Sequence, residues 1–404
     1  MTLPRRLSAL VVNYGTARFA AACVASLARE WLAAGGERGA LELVVVDNAS
    51  PNESERDLAA LERVGARLVR SKENLGYARG ANLALAHSAG ERDDWIAVLN
   101  ADLCFLPGSL EALFRSPASP RLGLLAPACY VDPACELALP PHRPPSVAST
   151  LAELAAEHSP DAARRLATQR ARFAERVWAA RDARLELPLL SGAALFAPRT
   201  TLARLGGLFD ERYPLYYEDT DLARRVRAHD LACEFEPRAR IVHHWARSSG
   251  VGAEFEADPR ARFRVSQRAY FERWHGAFAA RALAALDEAS SRRAPVERCP
   301  PIHPLVELGP CATAPELVLP RAGRWVIELA MTPHFPLAAG VLVDGERWRA
   351  SPRAWEWFFP GRYYLRALDR GSFECAGAWT FDKTSPARQD PLSLEETARD
   401  RGAL

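Results

Sequence analysis

The strongest constraint on this chain is a rhythm in its first 130 residues: short apolar runs alternate with stretches of helical periodicity, and each run ends on a polar residue. Leu7–Val12, Leu41–Val46, Ala66–Arg70 and Trp95–Leu99 read as strands, separated by helices at Ala17–Leu32, Ser54–Val64, Ala78–Ala89 and Pro107–Phe114. Ser54 is placed to cap its helix ahead of an acidic first turn. Strands of continuous apolar character joined by helices predict an α/β fold, a mostly parallel sheet covered on both faces. Ligands of such sheets bind beyond the carboxyl ends of the strands, which singles out Asn13, Asp47, Asn100 and Asp102.

Farther along, Pro133, Pro140, Pro141, Pro144 and Pro145 mark a loop, and Thr150–Asp182 reads as one helix. A strand at Leu187–Phe196, a short helix Arg199–Leu205 closed by Gly206-Gly207, a helix Thr220–His229, a strand Cys233–His244 and a helix Arg260–Leu286 follow. The expected division is a first domain over 1–294 with an insertion at 132–185, a Pro-rich linker at 295–304, a β-rich domain over 305–385 and a polar tail at 386–404. In the β-rich part, Asp344-Gly345 signals a hairpin between Val341–Val343 and Glu346–Arg349, and the pattern predicts a small antiparallel β-sandwich. Its aromatic residues, Trp355 and Trp357 among them, read foremost as core, with stacking on sugar rings as the other use.

With 52 Lys+Arg against 50 Asp+Glu, the net charge of +2 gives no basis for wrapping nucleic acid. No run approaches the roughly 20 apolar residues of a membrane span. Met1–Val12 reads as a first strand, not a signal peptide. The eight cysteines form no C-x-x-C pair, so reduced thiols in a cytoplasmic protein are expected. Fingerprints of dehydrogenases (G-x-G-x-x-G), P-loops (G-x-x-x-x-G-K-[ST]) and α/β-hydrolases (G-x-S-x-G) are all missing from the sequence.

Five elements recur in order. They are Val11-Val12-Asn13-Tyr14, Val45-Val46-Asp47-Asn48-Ala49-Ser50, Asn74-Leu75-Gly76-Tyr77-Ala78-Arg79-Gly80-Ala81-Asn82, Leu99-Asn100-Ala101-Asp102, and Tyr216-Tyr217-Glu218-Asp219-Thr220-Asp221-Leu222 preceded by Gly207-Leu208-Phe209-Asp210-Glu211. Asp47, ending a buried strand, can accept hydrogen bonds from a ribose or a base, or equally cap the next turn. Gly76 suits a tight loop where the backbone approaches a ligand. Asp102 offers the hard oxygen that a phosphate-bound divalent cation takes. Asp219 lies where a helix end favours a carboxylate, as proton acceptor or as cap.

Over roughly residues 7–275 this ordered set resembles the family 2 glycosyltransferases of GT-A fold, and among them the bacterial rhamnosyltransferase-like members. The resemblance implies an inverting, metal-dependent transfer of a sugar from a dTDP- or UDP-sugar donor to a hydroxyl acceptor, which would be a glycan, a lipid-linked glycan or a small molecule. It implies Asp219 as general base with Glu218 beside it. It assigns the nucleotide-sugar to Asn13, Asp47, Asn74, Gly76, Arg79, Asn82, Asn100, Ser191 and Gly192. Mg2+ or Mn2+ would be held by Asp102, with His243 and His244, and Arg247 and Ser248 follow close by. Asn100 stands where the family motif has its first Asp, a departure that bears on metal binding. The loop and helix at 132–182 lie where acceptor specificity is often built. Cell-surface polysaccharide or glycoconjugate synthesis in the cytoplasm, at the inner face of the membrane, is the implied setting, with peripheral membrane association allowed and no nucleic-acid partner. A second reading stays open: a degenerate transferase serving as a carbohydrate-binding or scaffold protein, motivated by Asn100.

Overall fold

A computed structural model describes residues 3–51, 53–115, 119–244, 259–291 and 300–387. Its larger sheet has nine strands: β1 (Leu7–Asn13), β2 (Leu41–Asp47), β3 (Arg67–Arg70), β4 (Trp95–Asn100), β5 (Leu103–Phe105), β6 (Leu122–Tyr130), β7 (Leu185–Glu186), β8 (Ala194–Pro198) and β9 (Ala232–His243). They lie in the order β3-β2-β1-β4-β8-β6-β9-β5, with β7 paired to β9. The ladders among β3, β2, β1 and β4 are parallel; β8 runs antiparallel to β4 and β6, and β5 antiparallel to β9.

Alternation along β1 explains why helices cover both faces. Leu7, Ala9 and Val11 pack with α1 (Ala17–Ala33), α2 (Glu55–Arg63) and α4 (Ser109–Arg115), whereas Leu10 on the opposite face joins α3 (Tyr77–Ala86), α7 (Arg199–Arg204) and α8 (Glu218–Ala228). As expected, the Ser54 side chain accepts from the Asp57 N–H and caps α2.

Four local expectations change. The helix expected over Thr150–Asp182 is two, α5 (Val147–Ala156) and α6 (Pro160–Ala179), because Ser159 caps a new helix and Pro160 starts it. The strand expected over Leu187–Phe196 is confined to β8, leaving Ser191-Gly192 in an irregular segment. The helix carrying Glu218 and Asp219 starts at Glu218, so both acids occupy its first turn and Asp219 is not its cap. No hairpin forms at Asp344-Gly345; a single strand, β12 (Ala339–Trp348), passes through Gly345 at φ 140°.

β12 belongs to a second sheet of five strands with β10 (Val306–Cys311), β11 (Leu317–Ala330), β13 (Gly361–Asp369) and β14 (Cys375–Lys383), in the order β10-β14-β13-β11-β12. The β-rich C-terminal region is therefore present as one sheet among the described residues, with no second sheet to make a sandwich. Trp325, Trp355, Phe358, Tyr363 and Phe381 form its core, in line with the structural reading of the aromatics. The run holding Trp355 is a helical turn, Pro352–Trp355, not a strand. The second sheet is tied to the first body by paired backbone hydrogen bonds between Ala138 and Gly340, by Trp178 filling the space a Cβ on Gly340 would need, and by Arg366, whose guanidinium meets Glu328 and the Ala167 carbonyl of α6.

Candidate active site

The carboxyl ends of β1, β2 and β4 lie side by side at one end of the sheet, the place where sheets of this kind form their ligand cleft. At this end of the sheet, Asn13 and Asp47 face each other across the β1–β2 ladder. The Asn13 amide donates to Asp47 Oδ1 at 3.1 Å, to Ser50 Oγ and to Glu53, while its carbonyl oxygen accepts from the Thr16 backbone. Asp47 also accepts from Ser50 Oγ at 2.6 Å and is 7% exposed. Burial raises the Glu53 pKa, opposed by the Ala17 and Asn13 donors. Asn13 therefore sets the Asp47 carboxylate with amide groups already committed inside the protein.

Asn48 carries this order to the next loop. Its amide donates to Asn74 Oδ1 and to the Gly76 carbonyl, and its oxygen accepts from the Leu75 N–H. Asn74 in turn accepts from the Gly76 N–H at 2.9 Å. Gly76 sits at φ 78°, and a Cβ there would lie 2.6 Å from the Pro214 carbonyl oxygen, so this loop requires glycine. Asn82 does not face open cleft: both ends of its amide bond the Phe209 backbone. Arg79 pairs with Glu211 at 3.5 Å. The third motif is thus locked onto the segment that leads into α8.

That segment is strained by design. Tyr216 and Tyr217 both adopt left-handed backbone, at φ 64° and 69°. The Tyr217 ring is held against Phe263 and Tyr270, and its hydroxyl accepts from Gln267. The turn delivers Glu218 and Asp219 to the cleft while Asp221 turns inward, where Arg225, Tyr213 and Trp274 bind it. Arg225 goes on to bond the carbonyls of Leu205, Gly207 and Leu208. Of the acidic run, Asp221 is thereby structural.

Asp219 is fixed from two sides. Its Oδ2 accepts from the Gly192 N–H at 3.1 Å and its Oδ1 from the Thr220 N–H at 2.6 Å. Glu218 is 7% exposed and its Oε2 has no hydrogen-bond partner among the described residues. Burial, with the Asp219 charge behind it, pushes the Glu218 pKa up to about 8. The Tyr77 hydroxyl is also buried and without a partner among the described residues; burial raises its pKa, and the charges of Glu218, Asp219 and Asp102 add to the rise.

The Asp102 side joins the same wall. The Asn100 N–H donates to the Ala193 carbonyl at 2.8 Å, next to Gly192 and so to Asp219. Asp102 Oδ1 lies 3.2 Å from His243 Nε2, and Asn100 Nδ2 lies 3.4 Å from the same nitrogen. His244 takes a different place: its ring is buried between Phe19 and Trp357, and its N–H donates to the Asp102 carbonyl. Ser191 supplies its hydroxyl to the Ala193 N–H at 3.4 Å. Arg247, Ser248 and Ser249 lie outside the described residues.

One carboxylate and one imidazole converging within 3.2 Å form a donor set that suits Mn2+ well and Mg2+ less well, provided phosphate oxygens complete the shell. Among the described residues no cluster of three His, Cys, Asp or Glu could hold a metal unaided.

Sequence reasoning missed His142. This residue of the Pro-rich loop is exposed at its surface, yet the surrounding protein lowers its pKa, with the Asp219 charge acting against that and the His243 charge with it. The long-range fold brings position 142 within range of the charges at 219 and 243; nothing local marks it. A separate cavity of about 490 Å³, lined by Arg18, Arg56 and Arg63 with Ser54 and Asp57, shares none of the acidic residues of the cleft.

Residues 8–175 match the profile of glycosyl transferase family 2. Over 225 residues, 52% of this chain and 68% of the relative, the chain is 32% identical to an N-acetylglucosaminyl-diphospho-decaprenol L-rhamnosyltransferase of two Mycobacterium tuberculosis strains. Among solved structures, the mannosyltransferase PcManGT from Pyrobaculum calidifontis, in complex with GDP-Man and Mn2+, aligns over 72% of this chain and 78% of its own at 18% identity and TM-score 0.38. S. aureus TarS 1–349 in complex with UDP aligns over 67% and 72% at 12% identity and TM-score 0.39. The chain belongs to glycosyl transferase family 2 and is a glycosyltransferase of the nucleotide-sugar-dependent kind, with the α/β architecture of the GT-A type.

Proposed function

We propose that this protein transfers a sugar, rhamnose by likeness to the mycobacterial relative, from a nucleoside-diphosphate donor to a hydroxyl of a lipid-linked or growing surface glycan, with inversion. The observation that carries the proposal is the single connected wall running from Asp102 and His243 through Asn100 and Ala193 to Gly192 and Asp219. Asp47, Asn74 and Gly76 receive the nucleoside, while Asn13, Asn82 and Arg79 hold those groups in place. Asn100 and Ser191 border the diphosphate and sugar. Asp102 and His243 would hold Mn2+ or Mg2+, which when bound neutralises charge on the diphosphate.

Asp219 takes the proton of the acceptor hydroxyl as that oxygen bonds to the anomeric carbon. The bond from that carbon to the diphosphate breaks, and its electrons leave with the nucleoside diphosphate. Burial holds the Glu218 pKa high, and Asp219 is the carboxylate at this turn that backbone donors fix from two sides, so Asp219 is taken as the base. A non-catalytic scaffold is not favoured, because a scaffold has no need of a glycine shaped around one carboxylate.

The proposed limits are a catalytic domain over 1–294 with its insertion at 132–185, and an accessory domain over 305–385. Residues 295–299 of the linker and 388–404 of the tail fall outside the described residues. Among the described residues no helix is long and apolar enough to cross a membrane. A cytoplasmic site of action at the inner membrane face is part of the same proposal.

The test is a hydrolysis screen of dTDP-, UDP- and GDP-sugars with Mg2+ and Mn2+, repeated with Asp219→Asn. Release of one nucleoside diphosphate by the wild type, with turnover lost and donor binding kept in the variant, supports the reading. Turnover that survives Asp219→Asn overturns it.

A further inference from the structure

The accessory sheet reaches the catalytic wall at one point. Trp355 and Phe358 are rooted in the sheet's own core, but Trp357 between them leaves it and packs with Cys104 and Val242. Cys104 and Val242 are partners in the β5–β9 ladder, and the adjoining pair is Leu103 with His243. Val242 and His244, two residues apart, share the face that Trp357 covers, and His243 falls on the other face toward Asp102. The Trp357 and His244 rings lie 5.3 Å apart at 41°, and Phe19 closes the far side of His244 at 5.1 Å in an edge-on arrangement. Trp357 is 4% exposed and His244 5%. The segment bearing Trp357 is itself anchored: the Ser351 N–H donates to Glu136 of the first body, and Trp355 Nε1 donates to the Ala312 carbonyl.

We infer that Trp357 is a positioning residue through which the C-terminal sheet sets His243 and Asp102 for the diphosphate. The inference rests on the reading of those two residues as the diphosphate end of the cleft. The Phe19, His244 and Trp357 rings packed together behind the end of β9 fix the peptide that joins His243 to His244. The His244 N–H in turn holds the Asp102 backbone at 2.9 Å. Removing the indole frees the His244 ring and lets the strand end relax, which loosens both donors together while leaving Asp47 and the nucleoside loop untouched. Supports behind metal-binding groups of this kind are worth about 10- to 100-fold in affinity. The sheet is thereby part of the catalytic unit and more than a docking module.

The experiment uses the full chain. UDP, GDP and dTDP are titrated into wild type, Trp357→Leu, Trp357→Phe and Phe358→Leu, with and without Mn2+. The expected result is that Trp357→Leu lowers Mn2+-dependent affinity for the diphosphate by about tenfold or more. Its metal-free affinity should be unchanged, and Trp357→Phe, which keeps a ring against His244, should recover most of the loss. Phe358→Leu, inside the sheet's own core, should lower the unfolding temperature without changing the Mn2+ dependence. Wild-type affinity in Trp357→Leu overturns the inference, as does an equal loss in Phe358→Leu, which would mark general loosening. If the wild type binds none of the three nucleotides, the reading of the cleft itself falls, and the inference with it.

Discussion

Gly192 offers the sharpest probe of the proposed base. A Cβ added there would stand 2.5 Å from Asp219 Oδ2 and 2.9 Å from its Cβ and Cγ, so alanine cannot enter unless the carboxylate moves. A methyl carbon and an oxygen settle at about 3.4 Å or more, so the carboxylate must retreat by about 0.9 Å. Misplacing a catalytic group by roughly 1 Å costs about 100-fold in rate. Gly192→Ala should therefore lower kcat by about two orders of magnitude, less than or comparable to the 100- to 10,000-fold expected (roughly) for Asp219→Asn. Overpacking should add a stability loss of about 1–3 kcal/mol, small enough for the variant to be purified. The assay is steady-state release of nucleoside diphosphate with the donor found in the screen, beside calorimetric titration of the same nucleotide. Loss of turnover with nucleotide affinity intact is the expected pattern, because the clash touches Asp219 and not Asp47 or Asp102. A Gly192→Ala enzyme with wild-type kcat would refute the placement of the base.

Three other outcomes follow from the same structure. Asp102→Asn should weaken Mn2+-dependent diphosphate binding by at least about tenfold, measured by titration, with metal-free affinity retained; unchanged Mn2+ dependence counts against the metal assignment. Glu218, raised from 4.5 to about 8 by burial, keeps in the folded chain a proton that the unfolded chain has lost, so its contribution to stability declines as pH climbs from 4.5 toward 8. Glu218→Gln, which cannot ionise, should therefore raise Tm relative to wild type most at pH 8–9 and least near pH 5, and a difference independent of pH in thermal unfolding would contradict the buried, protonated carboxyl. Arg366→Met should destabilise the chain by about 3–5 kcal/mol, because it strands the buried Glu328 carboxylate, and the double change Arg366→Met with Glu328→Leu should recover most of that in denaturant unfolding.

The part of the site built on β1, β2 and β4 was legible because its information is local. β1, β2 and β4 announce themselves as apolar runs, and the residues at their carboxyl ends, Asn13, Asp47 and Asn100, follow from the chain direction alone. β6 was not legible: Pro127 interrupts its pattern, and the strand tolerates that proline only because the β6–β9 register shifts there. β5 is three residues long, too short to show a period. Asp344-Gly345 imitates a hairpin turn, but long-range pairing of β12 with β11 absorbs it, Gly345 lying opposite Gly323. The roles of Asn82 and Asp221 were hidden for a similar reason. Both carry the residue type of a ligand, and what decides their use is a partner far along the chain, Phe209 for Asn82 and Trp274 for Asp221.

The handshake between Ala138 and Gly340 bears on how this enzyme can be handled. Positions two hundred residues apart share two hydrogen bonds, and one side of α6, with Ala163 and Ala167, is sealed by Ile302, Ala330 and Phe335 from the far end of the chain. A shortened version cut near residue 300, the natural choice for anyone wanting a minimal catalyst, would bare that alanine flank and leave the Gly340 partner of Ala138 behind. Clumping during purification of such a fragment would then report an opened seam, and would say nothing about whether the chemistry needs the missing hundred residues.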